Sequence, residues 1–169
     1  MPELDDRLVE ALRARAGGAP RLDDVDLGAG ETRIGVELPG RLRDLYRRVG
    51  NGGFGPGYGI VGFVGGARDD LGRDVVEDYL IRSRPHPDDP AWSWPSNLLP
   101  ICHWGCGIYS CVDCSSEDAP VVRFDPNVFA GDWSACFAPE RESLAQWLQA
   151  WLVGEEMFES GAVPEPAGY

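Results

Sequence analysis

Asn51-Gly52-Gly53-Phe54-Gly55-Pro56-Gly57-Tyr58-Gly59 stands between a helical pattern and a short apolar run. Five glycines and a proline in nine residues make it a loop. Glycine permits positive φ and Asn tolerates left-handed geometry, so Asn51, Gly52 and Gly53 are expected to form a structural turn. The dinucleotide fingerprint needs a strand before its glycines and a helix after them. Here the order is reversed, and the loop lacks the Lys and Ser or Thr of a nucleotide-binding P-loop.

Working outward, Leu42, Leu45, Tyr46 and Val49 form the apolar stripe of a helix that starts at Leu38-Pro39, with Gly50 as its left-handed cap. Further upstream, residues 19–36 read as polar and irregular. Residues 3–16 read as an amphipathic helix on Leu4, Leu8, Leu12 and Ala16. Downstream of the loop, Gly59–Val64 reads as a strand, and residues 69–84 as a helix with Val75, Val76, Tyr79 and Leu80 inward. A Pro- and Trp-rich connection follows from Pro85 to Pro95. Strands are expected at Leu98–Cys102, Ile108–Asp113 and Val121–Asp125, with Trp104-Gly105 as a hairpin turn and a weaker strand around Trp133–Phe137. A last helix is expected from Pro139 to Val153, capped by Gly154, and a frayed tail after Glu159.

Strands joined by short turns pair antiparallel, and helices at both ends of the run make an α+β domain. The expectation is one domain over residues 1–169, with a twisted, mostly antiparallel sheet of about four to six strands flanked by helices. At 169 residues, 43% hydrophobic and 25% charged, the chain is of ordinary globular composition. No apolar run approaches the roughly 18 residues of a membrane span. The start, MPELDDRLVEAL, lacks the basic and apolar segments of a secretory signal, so a cytoplasmic location is expected.

The charge is −13, with 28 acids against 15 cations, all of them Arg. It is uneven: net −1 over residues 1–50 and −12 over residues 51–169. Phosphate backbones and anionic membranes are repelled by such a surface, so neither nucleic acid nor a membrane is an expected partner. A basic protein partner is attracted and steered. Net acidity also keeps a protein soluble without any partner. The absence of Lys beside abundant Ala, Gly, Pro and Arg suggests a GC-rich bacterial genome.

From the NGGFGP stretch the chain resembles the SUKH superfamily, the Smi/Knr-like proteins. The matching features run in order: Glu37-Leu38-Pro39, Leu45-Tyr46, Asn51–Pro56, Gly59-Ile60, Gly62–Gly66, Trp94-Pro95, Leu98–Ile101, Trp104–Gly107, Asp113, and Ser143-Leu144 with Trp147-Leu148. They cover about residues 30–153, which leaves the helix at 3–16 as an extension. The resemblance implies an α+β fold with a mixed sheet. It also implies a protein-binding module and no enzyme; many bacterial members are immunity proteins that neutralise a cognate toxin, often a nuclease.

Cys102, Cys106, Cys111 and Cys114, with His103 and His86 nearby, raise the alternative of a zinc site. Cys111 and Cys114 lie on opposite faces of a strand unless a turn intervenes, so small, buried, reduced thiols are the preferred reading, and no cofactor is expected. Cys–His catalysis fares worse: adjacent strand residues Cys102 and His103 face apart, and a nucleophile needs an oriented base. The candidates for contact with a basic toxin domain are Asp69, Asp70, Asp74, Glu77 and Asp78 on the third helix. Asp88 and Asp89 extend that set, as do Glu117 and Asp118 at a strand turn. Trp92 and Trp94 lie in the Pro-rich connection, where they either pack or contact a partner. The competing readings are a regulatory adaptor of the same fold and, behind it, a zinc protein or small hydrolase built on the cysteines.

Overall fold

The structure is a computed structural model, and it describes residues 2–157. The expected frayed tail lies outside those residues. Helix α1 (Asp6–Ala16) begins at Asp6 because the Asp5 carboxylate accepts the Leu8 N–H at 2.8 Å and caps it. Leu4 precedes the helix yet is buried, and its N–H donates to Asp44 Oδ2. Residues 19–36 are not irregular as expected: α2 (Asp24–Ile34) is capped by Asp23, which accepts the Asp26 N–H. Only Leu27 and Gly30 of α2 are buried. A Cβ at Gly30 would stand 2.5 Å from a Val64 methyl and 2.7 Å from the Phe63 ring, so the missing side chain is what seats α2 against the following loop.

Helix α3 (Gly40–Asp44) starts after Pro39 and runs into a π turn, Leu45–Val49. Its stripe of Leu42, Leu45, Tyr46 and Val49 is buried as expected. Gly50 is not a left-handed cap. Its N–H bonds Leu45 O, one residue further back than in an α-helix, and the chain leaves with φ 175°, extended.

Asn51 is buried and holds the next loop together. Its Oδ1 accepts the Phe63 N–H and its Nδ2 donates to Val64 O, both at 2.9 Å. Its own N–H donates to Pro20 O and its carbonyl accepts from Ala67. Gly59–Val64 is therefore not a free strand. Ile60 makes one bridge with Cys102, and Tyr58 and Val61 donate to His103 O and Ile101 O. Gly53 to Ile60 and Ile60 to Phe54 close on the loop itself, while the Gly62 and Phe63 carbonyls accept from Val75 and Val76 at the start of the next helix.

Helix α4 (Val75–Arg82) is shorter than the expected 69–84 because Asp74 caps it in a reciprocal capping box with Glu77. Residues 69–73 form a turn around the Asp69 carboxylate, which accepts the Leu71 and Arg73 N–H groups. The sheet has order β1 (Leu98–Gly105), β2 (Ile108–Asp113), β3 (Val121–Phe124), β4 (Phe137–Arg141), and every pair is antiparallel rather than mixed. The first hairpin turns at Cys106-Gly107, not at Trp104-Gly105. Trp133–Cys136 is a short 3-10 turn, and Pro139 lies in β4, so α5 (Leu144–Leu152) starts only after Ser143, whose hydroxyl accepts the Gln146 N–H. α4 packs on β1, and α5 lies beside β4 against α1 and α3. Leu12, Leu42, Leu45, Tyr46, Leu99, Ile101, Leu144 and Trp147 fill the core between them.

Candidate interaction surface

Alternation along antiparallel strands sends the two sets of connections to opposite ends of the sheet. The β1–β2 turn and the β3–β4 connection (125–136) share one end; the β2–β3 turn (114–120) is at the other. This separation divides the acidic residues singled out from the sequence. Glu117 and Asp118 are exposed at the β2–β3 end, where Asp118 pairs with Arg41 at 3.0 Å. Asp70 is 59% exposed and lies 3.8 Å from His103 Nδ1 near the end of β1. Asp89 accepts from the indole of Trp133 in the β3–β4 connection at 2.7 Å, and Asp88 beside it is exposed.

Three of the acids expected on a docking surface are inside the fold. Asp74 is occupied by the Glu77 and Gly65 N–H groups. Asp69 is buried with Arg73 and the Tyr109 hydroxyl. Asp78 is buried between Arg73 and Arg82. They are turn, cap and buried-pair residues, because each is drawn inward by a donor its neighbours cannot otherwise satisfy. Burial pushes the Asp69 carboxyl up, but the Arg73 N–H, the Tyr109 hydroxyl and the Arg73 charge outweigh it and hold it below the usual range. At Asp78 burial wins over Arg82 and Arg73, and the carboxyl is raised. Glu77 stays half-exposed, paired with Arg68 and bonded to the Asp74 N–H; that backbone bond is the first cause of its lowered pKa.

Trp94 is buried and Trp92 half-buried, so neither is an open contact residue. Their indoles donate to Leu98 O and Arg82 O, and their rings pack with Phe124, Phe137 and Trp133. The Arg82 guanidinium lies over Trp94 and Tyr109 at 4.7 and 4.4 Å.

The cysteines do not converge. Among the described residues no group of three or more His, Cys, Asp and Glu is placed to hold a metal ion. Cys102 is buried, with its thiol on Pro56 O at 3.2 Å, and Cys106 is exposed at the hairpin turn. Burial pushes the Cys102, Cys111 and Cys114 thiols up, away from nucleophilic thiolate. The surface clefts are open. The one beside Asn51 is lined largely by glycine and alanine, among them Gly17, Ala19, Gly52 and Gly66, with Arg21.

The exposed apolar side chains were missed by the sequence reading. Val25, Ile81 and Val153 stand singly on or beside helices, whereas Tyr58 (73% exposed), Leu71 (68%), Val128 and Phe129 lie in the loops toward the β1–β2 turn end. They are linked through direct neighbours. Tyr58 stacks on His103 at 5.3 Å and lies beside Gly105. Asn127 Nδ2 donates to Cys106 O, and Phe129 stacks on Trp133 at 4.3 Å. Their only sequence signal was position: each sits in a loop with no amphipathic partner pattern.

This combination, a helix-flanked antiparallel sheet pinned by the Asn51 loop, agrees with one family model, the SMI1 / KNR4 family (SUKH-1), which matches residues 21–152. The chain belongs to that family. No curated protein and no solved structure matches it. The SUKH-1 match takes in α2 and leaves α1 outside. No helix among the described residues is long and apolar enough to cross a membrane.

Proposed function

We propose that this protein is a non-catalytic binding module that neutralises a basic protein, a toxin domain, by covering its active surface. The observation that carries the reading is the charge of −12 over residues 51–169 in a SUKH-1 chain. The acids that serve it are the exposed Asp70 and Asp88, with the half-exposed Glu77 and Asp89 beside them. Glu117 and Asp118 stand at the far end and are left out of the contact. The acids kept in the contact stand in for phosphate and meet the toxin's Lys and Arg. Rim charges act mainly on association, so binding weakens as salt rises. Burial of the Cys102 and Cys111 thiols, which pushes both away from thiolate, supports a module that does no covalent chemistry through them.

The test is protection. A basic protein captured by this chain from its native cell is expressed with and without it. Rescue of growth by the wild type, and weaker rescue when Asp70, Asp88 and Asp89 are reversed to Lys, is expected. Capture of a harmless basic protein, with no growth phenotype to rescue, would sink the toxin reading and favour a regulatory adaptor of the same fold.

A further inference from the structure

The exposed apolar side chains around the β1–β2 turn form a ridge. Tyr58 packs on one side of the turn, where a Cβ at Gly105 would stand 3.0 Å from its ring. On the other side Asn127 Nδ2 donates to Cys106 O, and Pro126 lies against Gly107. Val128 and Phe129 follow at once, 52% and 41% exposed. Both aromatic rings are held from behind. Tyr58 stacks on the buried His103 at 5.3 Å, and its N–H donates to His103 O. Phe129 stacks on Trp133 at 4.3 Å, and the Trp133 indole is fixed by Asp89 at 2.7 Å. Open rings that are already ordered lose little freedom when a partner covers them, which is what a binding hot spot requires.

The charge around the ridge has one sign. Asp70 stands 3.8 Å from the imidazole under Tyr58, and Asp88 and Asp89 stand at the Trp133 end. Between Arg84 and Arg141 the only Lys or Arg is Arg123, and its Nη2 is 2.6 Å from Glu140 Oε1. An apolar centre with a charged rim is the anatomy of one half of a protein interface. Its complement is a surface with an apolar side chain at the centre and Lys and Arg around it. A second copy of this chain would set the same acids against each other, and nucleic acid or an anionic membrane would set phosphate against them.

We infer that Tyr58, Val128 and Phe129 are the anchors of a docking surface whose occupant is a basic protein, seated on the ridge by apolar contact and steered to it by Asp70, Asp88 and Asp89. This deepens the proposed function and rests on it for the partner. The two sets of residues divide the work. Buried aromatic anchors set how slowly the complex comes apart, and rim charges set how fast it forms.

That division is the test. The basic protein captured by the wild-type chain in the protection experiment is the probe, and its binding is followed by surface plasmon resonance at low and high salt. Tyr58→Ala and Phe129→Ala should each speed dissociation roughly tenfold or more, with association and its salt dependence kept. Asp70→Asn combined with Asp88→Asn should instead slow association and flatten the salt dependence. Glu117→Gln, at the opposite end, should change neither. Thermal melting checks each fold, and Val128→Asn probes the ridge without disturbing a stacked ring. Dissociation that stays at the wild-type rate in all three ridge variants overturns the surface. So does a wild-type dimer in sedimentation that Phe129→Ala separates, because a second copy then occupies the ridge. Capture of no basic protein removes both the surface and the proposed function. If the ridge variants protect cells as well as the wild type, the surface fails and the proposed function stands. If the captured protein harms no cell yet leaves Phe129→Ala roughly tenfold faster, the surface stands and the toxin reading fails.

Discussion

The N–H of Phe63 donates to Asn51 Oδ1 at 2.9 Å, across twelve residues of loop. With the bond from Asn51 Nδ2 to Val64 O, the carboxamide takes over where the pairing of Ile60 and Val61 with β1 ends. Asn51→Ala leaves a buried N–H and a carbonyl unsatisfied. A loss of about 2–4 kcal/mol is expected from two such groups. Urea denaturation measures it, and a change under about 0.5 kcal/mol would show that the loop is held by something else.

Gly52 has φ 81°, and a Cβ there would stand 2.6 Å from Gly62 N and Ile60 O. Both are backbone atoms that cannot swing aside. Gly17 has a similar φ of 62° with nothing within 4 Å of a Cβ. Gly17→Ala should therefore cost only the left-handed penalty, about 1–2 kcal/mol. Gly52→Ala adds a clash to it and should cost at least twice as much. Equal melting temperatures for the two variants would refute this.

The same loop shows why part of the fold was legible and part was not. The stripes Leu42, Leu45, Tyr46, Val49 and Leu144, Trp147, Leu148 are buried because a helix that hides one face must repeat its apolar residues. α2 has no such stripe: one leucine and one glycine face inward, and the glycine is chosen by the Phe63 ring, far off in sequence. Gly59–Val64 is apolar and partly β-branched, yet its hydrogen bonds are divided among the Asn51 loop, one bridge to β1 and the start of α4, a tertiary decision. The acids divide the same way. Asp74 with Glu77 three residues on, and the four-residue spacings Asp69–Arg73 and Asp78–Arg82, are local patterns, whereas the Tyr109 hydroxyl on Asp69 becomes visible only when β2 packs against that turn. The family resemblance over residues 30–153 carried the fold further than periodicity did, and the match over 21–152 shows its limit to lie nearer the chain start.

Tyr109 in β2 donates its hydroxyl to Asp69 Oδ2 at 3.0 Å. That bond is one of those holding the Asp69 carboxyl below its usual range against the effect of burial. A carboxyl depressed in the fold stabilises it above the unfolded value, about 3.9, and loses that contribution as pH falls through the folded value. Tyr109→Phe brings the folded value back toward the unfolded one. The variant should be about 1 kcal/mol less stable at pH 7, with the gap narrowing from pH 4 downward. Urea midpoints at pH 7, 4 and 3 test it, and a gap that widens on acidification contradicts the sign.

Thiol reactivity separates the cysteines by position in the sheet. Cys102 and Cys111 lie within β1 and β2, and burial raises both, as it raises Cys136 beside β4. Cys106 is exposed at the hairpin turn with φ 53°. A thiol reacts as thiolate and only where reagent reaches it. Iodoacetamide at pH 8 on the native protein should label Cys106 first, with Cys102 and Cys111 labelled only in denaturant. Peptide mass spectrometry over a time course reads the order. Labelling of Cys102 as fast as Cys106 would mean that β1 opens without global unfolding, and that its edge, covered by Tyr58, Ile60 and Val61, is not closed.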